Sequence, residues 1–194
     1  VFGFKNSTNI GIMFFPSVQT APCFLPSILK GHNVPVLIPA AIDQDPYWRI
    51  ARDVAPKLGY YKPAAIHNMF LPGLEGPSGK MSASKGDTAI FSIDPPKEVD
   101  KKIKRAFTGG GQTVKEHKEK GGNPGVCTIY QYLYFIFEED NQKIKEIHDG
   151  CKSGEVFCGE CKNLLSEKLV KFITKHQENR EKAKDVLDEF LLKD

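Results

Sequence analysis

The sequence predicts an α/β fold, in which a parallel sheet in the first half of the chain precedes an all-α helical domain. Two short apolar runs, VPVLIPA (34–40) and AAIHNMF (64–70), have the length and branched content of buried strands. A helical pattern separates them, and strand, helix and strand in that order form a parallel βαβ unit. Charged helical patterns dominate from about residue 95 onward. We therefore expect two domains, residues 1–95 and 96–194.

The helix between the strands has clear start and stop signals. Asp45 is placed to cap its N-terminus, Pro46 suits the first helical position, and Pro56 ends the pattern. Loop residues follow the second strand, beginning at Pro72 and Gly73. Ligands of parallel α/β folds bind where the strands end, so these two segments predict the site.

The second half reads as helices joined by glycine-rich links. A charged amphipathic helix begins at PPKEVDKKIKRAF, and links follow at 109–112 and 121–125. The aromatic stripe in YQYLYFIFEED (130–140) is more typical of a helix core than of a platform for base stacking. Residues 161–192 repeat apolar side chains at helical spacing, with Lys and Glu between them.

Composition indicates an ordinary globular protein with a real core. The 194 residues are 40% hydrophobic and 26% charged, and the net charge of +3 favours no class of partner. No run approaches the length of a membrane span, and VFGFKNSTNI has no signal-peptide pattern. The first residue is not Met and opens inside a patterned segment, as expected of a fragment.

Cysteine usage favours free thiols in a reducing cytoplasm, because five cysteines are an odd number without a regular framework. One cluster, His148, Cys151, Cys158 and Cys161, ends in a Cys-x-x-Cys pair. Such a pair can supply two zinc ligands or a redox couple. Since no second Cys-x-x-Cys exists and the pair begins a helix, we expect structural thiols and no metal site.

A phosphate-binding loop is suggested by GKMSASKGD (79–87). Lys80 offers a mobile positive charge, and the Ser82 and Ser84 hydroxyls can donate to phosphate oxygens. Gly79 and Gly86 permit a hinge, although a solvated loop with a chance pattern is the plainer interpretation. It is not a Walker loop, because the required G-x-x-x-x-G-K-[ST] spacing is missing.

At these residues the chain resembles the class I aminoacyl-tRNA synthetases, whose signature loop KMSAS (80–84) matches. FPSVQTAP (15–22), IPAAIDQDPYWRIARDVAPKLGY (38–60) and AFTGG…EH…GGN (106–123) extend the resemblance to the eukaryotic and archaeal tryptophanyl-tRNA synthetases. The resemblance covers essentially the whole chain. It implies a Rossmann-type catalytic domain, a helical anticodon-binding domain, and a cytoplasmic homodimer that uses ATP, Mg²⁺, L-tryptophan and tRNA-Trp.

The resemblance also implies roles for single residues. Lys80, Ser82 and Ser84 would stabilise the departing pyrophosphate; Met81 would lie near the adenine and Asp43 near the ribose. Gln19 and Gln44 match positions that hold the amino and carboxylate groups of tryptophan, and neutral amides can serve both groups. Phe15 and Trp48 are weaker candidates for the pocket wall, since core packing explains them equally well.

Two departures from the family pattern matter. The His-x-Gly-His-like motif is absent, so we expect a C-terminal piece that lacks the first half of the catalytic domain and is inactive alone. An Arg common in the family is replaced at Gly111-Gln112, which leaves Gln112 and the backbone as candidates for tRNA contact. Nearby lysines could contact phosphates or be solvated charges: Lys101, Lys102, Lys104, Lys115 and Lys118.

Three other functions remain open on sequence alone. The chain could be a non-catalytic tRNA-binding or dimerisation module, a relative of tyrosyl-tRNA synthetase, or an adenylyltransferase with a similar loop. The loop together with Gln19 and Gln44 favours descent from an enzyme, and the run from Asp43 to Val54 favours the tryptophanyl type.

Overall fold

A computed structural model describes residues 3–81 and 86–191 and divides the chain into two compact units. The first unit is Val1–Phe70 and the second is Leu71–Asp194. The change of sequence texture near residue 95 thus lies inside the second unit, whose helices pack with residues from 71 onward. Within the described ranges, no helix is long and apolar enough to cross a membrane.

The first unit contains the predicted βαβ arrangement. Strands β1 (Leu37–Ala41) and β2 (Ala64–Asn68) are parallel, with Leu37 opposite Ala64 and Ala41 opposite Asn68. Helix α3 (Asp45–Val54) connects them, and helices α1 (Ile10–Thr20) and α2 (Leu25–Lys30) precede them. Short 3₁₀ turns complete the unit at Ala21–Cys23, Ile42–Gln44 and Ala55–Leu58. The α/β fold class is confirmed.

The predicted capping role of Asp45 is wrong, because Asp45 is the first residue of α3 itself. The 3₁₀ turn Ile42–Gln44 leads straight into the helix, so the preceding Gln44 already has a helical backbone and caps no amide with its side chain. The Asp45 carboxylate instead pairs with Arg49, at 2.6 Å, and with His67, at 3.4 Å. Pro46 does lie within the first turn, as its fixed φ favours.

The prediction that both strands are buried is also wrong. Most residues of β1 and β2 are exposed or half-buried, and Leu37 and Ile66 keep 56% and 52% of their surface. Parallel strands normally have both faces covered, which is why their sequences are apolar throughout. The core of this unit lies instead around α3, where Cys23, Phe24, Trp48, Ala51 and Ala55 form one buried cluster.

The second unit begins with a short antiparallel pair and continues as helices. Strands β3 (Pro72–Gly73) and β4 (Gly76–Lys80) pair first. The helices are α4 (Pro96–Arg105), α5 (Val114–Lys120), α6 (Thr128–Tyr132), α7 (Asn141–Ser153) and α8 (Cys158–Ala183). 3₁₀ turns lie at Gly86–Thr88, Pro124–Val126 and Lys184–Glu189. The predicted helical character of this half is confirmed.

One core cluster holds the second unit together. Its fully buried side chains come from α4, α6, α8 and the turn after α6: Val99, Ile103, Ile129, Leu133 and Leu165. The β3 backbone is fastened to α6, since the Thr128 hydroxyl donates to the Gly73 carbonyl, at 3.2 Å, and the Tyr132 hydroxyl donates to the Pro72 carbonyl, at 3.2 Å. The segment that precedes the phosphate loop is therefore anchored on the helical core.

The aromatic stripe is only partly core. Tyr132 and Leu133 are buried, but α6 gives way to a π-helical turn at Leu133–Phe137, which changes the direction of the following side chains. Tyr134, Phe135 and Ile136 are consequently exposed. The predicted core stripe is thus right for Tyr132, Leu133 and Phe137, which lie in or against the core, and wrong for Tyr134, Phe135 and Ile136.

Candidate functional site

The C-terminal ends of β1 and β2 lie at one edge of the parallel pair and gather polar side chains. After β1 the chain turns through Ile42–Gln44 into α3, and His67 lies near the end of β2. Asp45 pairs with Arg49 one turn along α3, and its contact with His67 connects the start of α3 to the end of β2. This edge is where ligands of open parallel sheets bind.

Two predicted residues, Gln19 and Gln44, meet at this edge. The Gln19 amide nitrogen Nε2 donates to Gln44 Oε1 at 2.6 Å, although the two residues are 25 positions apart. Gln44 Nε2 in turn donates to Asp43 Oδ1 at 3.2 Å. These three side chains, which the sequence suggested separately, form one continuous chain of hydrogen bonds from α1 to the turn after β1.

An aromatic wall adjoins the amide pair. Phe15 lies one helical turn before Gln19 on the same face of α1, and Tyr47 lies one turn after Gln44. The Phe15 and Tyr47 rings meet edge to face, with centroids 5.4 Å apart. They help to line an open groove of about 530 Å³, together with Phe4, Asn9, Gly11, Ile12 and Pro16. Grooves of this size accommodate small organic ligands.

The two aromatic candidates have different surroundings. Phe15 is 44% exposed and lines the groove, whereas Trp48 is 5% exposed and belongs to the core around Ala51 and Ala55. The buried Trp48 Nε1–H has no hydrogen-bond acceptor among the described residues. Tyr47, which sequence reasoning overlooked, is the aromatic side chain of α3 that faces the groove. Its spacing of three residues from Gln44 was the available signal.

The phosphate loop is described only at its margins. Lys80 is the last residue of β4, but its side chain lies outside the described residues, as do Ser82 and Ser84. Met81 is half-buried and packs against the core cluster of the second unit. The loop therefore follows directly on strand β4 and on Met81, whose side chain packs against the core.

The glycine-rich link that carries Gln112 is held by hydrogen bonds within the second unit. Gly111 N–H donates to His117 Nδ1 at 3.3 Å, and His117, only 2% exposed, reaches the Val156 carbonyl through Nε2 at 2.9 Å. Gln112 N–H donates to the Glu116 carboxylate at 3.0 Å. That hydrogen bond, followed by the one from Lys120, lowers the pKa of Glu116. The Gln112 side chain is exposed.

Most lysines near this link already have partners in the second unit. Lys102 is buried and pairs with Asp94 at 2.7 Å, which makes it a structural residue. Lys101 pairs with Glu98, and Lys104 pairs with Asp100. Lys115 lies 3.9 Å from Glu119, and the Lys118 ammonium lies over the Phe157 ring. Charges engaged in this way are weaker candidates for phosphate contact than the sequence suggested.

Comparison with known proteins decides the family. The profile described as tRNA synthetases class I (W and Y) matches residues 29–174. The chain belongs to this family. It is 51% identical to the tryptophan–tRNA ligase of Pyrobaculum calidifontis over 191 residues, which are 98% of this chain and 50% of the relative. The chain thus spans about half the length of the curated relatives it matches.

Solved structures of this class I synthetase family agree. The tryptophanyl-tRNA synthetase of Aeropyrum pernix superposes with a TM-score of 0.85 at 34% identity, covering 93% of this chain and 50% of that one. The Encephalitozoon cuniculi enzyme, solved bound to tryptophan, gives a TM-score of 0.78 at 37% identity, with 93% and 48% covered. These similarities bear out the family that the motifs suggested.

The close packing of the glycine-rich link predicts that a larger residue at Gly109 destabilises the protein. A Cβ at Gly109 would collide with the carbonyl oxygen of Asn123. The backbone N–H of Asn123 also donates to the Gly109 carbonyl, at 2.7 Å, so the two segments cannot easily move apart. We expect Gly109→Ala to lower the free energy of unfolding by about 1–3 kcal/mol, as overpacking does. Urea unfolding followed by circular dichroism measures this. Gly159→Ala is the matched control, since nothing lies within 4 Å of its Cβ position; equal stability of the two variants contradicts the prediction.

Proposed function

We propose that this synthetase chain is part of a tryptophan–tRNA ligase that activates L-tryptophan with ATP and transfers it to tRNA-Trp. The observation that carries the proposal is the hydrogen bond of 2.6 Å between the Gln19 and Gln44 amides, which lie about one helical turn from Phe15 and Tyr47 of the groove wall. The same activity is supported by the similarity to the tryptophan–tRNA ligase of Pyrobaculum calidifontis, which is identical to this chain at about half of the aligned residues.

The amide pair suits an amino acid. An amide offers both acceptor and donor atoms, so two adjacent amides can accept from an ammonium group and donate to a carboxylate without adding net charge. The mutual hydrogen bond fixes the orientation of both side chains before the ligand arrives. We infer that Gln19 and Gln44 hold the polar end of tryptophan, and that Phe15 and Tyr47 contact its apolar part.

In the proposed reaction, a tryptophan carboxylate oxygen attacks the α-phosphorus of ATP. A new oxygen–phosphorus bond forms, and the bond to the bridging oxygen breaks, so pyrophosphate leaves with the electron pair. Negative charge grows on the departing group, and the Lys80 ammonium with the Ser82 and Ser84 hydroxyls stabilises it. Asp43 contacts the ribose and Met81 the adenine in this proposal.

Magnesium fits this scheme as a companion of ATP. Among the described residues, no group of three His, Cys, Asp or Glu side chains is placed to hold a metal ion. Mg²⁺ at nucleotide sites is bound largely by substrate phosphates and water, with few protein ligands. The donor set here is compatible with that mode, in which the ion supplies charge neutralisation for the phosphates.

We infer that the 194 residues do not complete this reaction alone. The chain covers 50% of the length of the Pyrobaculum calidifontis ligase, and the faces of its two parallel strands are largely uncovered. In the proposed enzyme, the other half of the catalytic domain covers those strands and completes the pocket. Dimerisation, binding of tRNA near Gln112, and a cytoplasmic location belong to the same proposal.

The first functional prediction concerns the amide pair. In the enzyme completed with the other half of the catalytic domain, we expect Gln44→Ala to weaken tryptophan binding about tenfold or more, because hydrogen bonds to a charged group are lost. Isothermal titration with tryptophan measures this. Gln142→Ala is the matched control, because Gln142 is exposed on α7, and it should leave affinity unchanged. Equal affinity of the Gln44→Ala and wild-type enzymes removes the role assigned to the pair.

The second functional prediction concerns the loop lysine. We expect Lys80→Ala to slow formation of tryptophanyl-adenylate about 10²-fold, a typical loss for one charged contact made in the transition state. Tryptophan affinity should stay nearly constant. Single-turnover kinetics and titration separate the two effects.

Lys175→Ala, on the exposed surface of α8, is the control for charge and should react at the wild-type rate. If Lys80→Ala weakens tryptophan binding as much as it slows the reaction, the residue acts in the ground state and the proposal for it is wrong.

A further inference from the structure

The chain on both sides of the phosphate loop is fastened within the second unit. Before the loop, Leu74 is buried in the core cluster. After the loop, Thr88 and Ala89 are buried, with 4% and 3% of their surface exposed. The Leu74 N–H donates to the Thr88 carbonyl at 3.1 Å and so joins the two sides directly. The position of the second end of the loop therefore depends on how the residues beyond Ala89 are held.

A buried ion pair holds the segment that follows, residues 91–94. The Lys102 ammonium of α4 lies 2.7 Å from Asp94 Oδ2, and only 9% of the lysine side chain and 12% of the aspartate side chain are exposed. The same carboxylate oxygen accepts the Phe91 N–H at 2.9 Å. The ammonium also lies 4.9 Å from the centroid of the Phe91 ring, within the range of a cation–π contact. Lys102 thus contacts both ends of the segment.

A second helix holds the backbone of the same segment. Gln177, in α8, donates from Nε2 to the Ser92 carbonyl at 2.9 Å and to the Asp94 carbonyl at 3.0 Å. An amide nitrogen carries two hydrogens, so it can make both bonds at once. Both α4 and α8 contribute buried side chains to the core cluster. We refer to Asp94, Lys102 and Gln177 as the clamp.

The clamp is better explained by placement than by stability. Moving two charges out of water costs much of what their attraction returns, and apolar side chains of similar volume are often as stabilising. What Lys102 and Gln177 provide is directed hydrogen bonds, whose acceptors all lie within residues 91–94. A satisfied network of buried polar groups selects one arrangement of the chain.

Placement matters at the phosphate loop because of the chemistry proposed for it. Donors accelerate a reaction when they stand where charge develops, and a displacement of about 1 Å can cost about 10²-fold in rate. Residues 88–90, which are buried or half-buried, connect the loop to the segment that the clamp holds. A shift of residues 91–94 would therefore displace the end of the loop.

We propose that Asp94, Lys102 and Gln177 are positioning residues for the activation of tryptophan by ATP. They touch neither substrate. They hold residues 91–94 and, together with the hydrogen bond between Leu74 and Thr88, fix where the phosphate loop ends. This inference rests on the proposed function, because it requires the phosphate loop to act on ATP. Through the clamp, α4 and α8 contribute to the chemical step.

Hydrogen exchange in the 194-residue chain tests the placement. Gln177→Glu keeps the size of the side chain but removes both donors. We expect the amides of residues 88–94 to exchange about tenfold faster in this variant, because the segment opens more readily. Gln142→Glu makes the same change at an exposed position of α7 and should leave that exchange unchanged. Wild-type exchange in Gln177→Glu overturns the inference.

A double variant separates positioning from stability. Lys102→Met alone leaves the Asp94 carboxylate buried without its partner, which should destabilise the protein. Adding Asp94→Asn removes the second charge, and the asparagine oxygen can still accept the Phe91 N–H. We expect the double variant to regain a melting temperature near that of the wild type. In the completed enzyme, adenylate formation should stay about tenfold slow at unchanged tryptophan affinity. Recovery of the rate together with the stability shows a purely structural pair and overturns the inference.

Single-turnover kinetics of reference variants show which claim fails. Lys175→Met combined with Glu178→Gln removes an exposed ion pair of α8 and should react at the wild-type rate. If Lys80→Ala slows adenylate formation while the clamp variants do not, the clamp has no positioning role and the proposed function stands. If Lys80→Ala and the clamp variants all react at the wild-type rate, both are overturned. If the double variant fails to fold, the rate of Gln177→Glu decides.

Discussion

The parallel pairing of β1 with β2 determines where the polar groups of the first unit meet. Its register places Ala41 opposite Asn68, so both strands end at the same edge. The turn after β1 then presents Gln44 to α1, and His67 of β2 contacts the first residue of α3. A slip of one residue would turn every side chain of the strand to the other face and separate these groups. The geometry of the site therefore depends on the register of the two strands.

The two parallel strands leave a large apolar surface uncovered. Their apolar sequences are those of strands whose faces are normally covered by other elements. Leu37 and Ile66 remain more than half exposed, as do Phe14 and Val18 of α1. Burial of such side chains contributes about 1.5–3 kcal/mol each when they are covered. The curated relative from Pyrobaculum calidifontis is about twice as long as this chain. Further protein packed on these faces would supply that free energy.

Much of this architecture could be predicted from sequence, because local patterns determine it. The strand and helix of IPAAIDQDPYW and the helices beyond Pro95 follow from apolar periodicity and proline placement. The hydrogen bond between Gln19 and Gln44 joins residues 25 positions apart, so it is a tertiary contact. Only the family resemblance indicated that these two residues act together. Three further features depend on packing that no local pattern encodes. Cys127 lines the same cavity as Cys151, Cys158 and Cys161, α3 begins at Asp45 itself, and a π-helical turn follows Tyr132.

We propose that this chain supplies the amides that hold tryptophan and the phosphate loop of a synthetase that a second half completes. ATP–pyrophosphate exchange tests it most directly, measured for the chain alone and for the chain joined to the first half of the Pyrobaculum calidifontis ligase, with tryptophan and with tyrosine. We expect exchange that depends on tryptophan and occurs only in the joined protein. Exchange by the chain alone, or a preference of the joined protein for tyrosine, would contradict it.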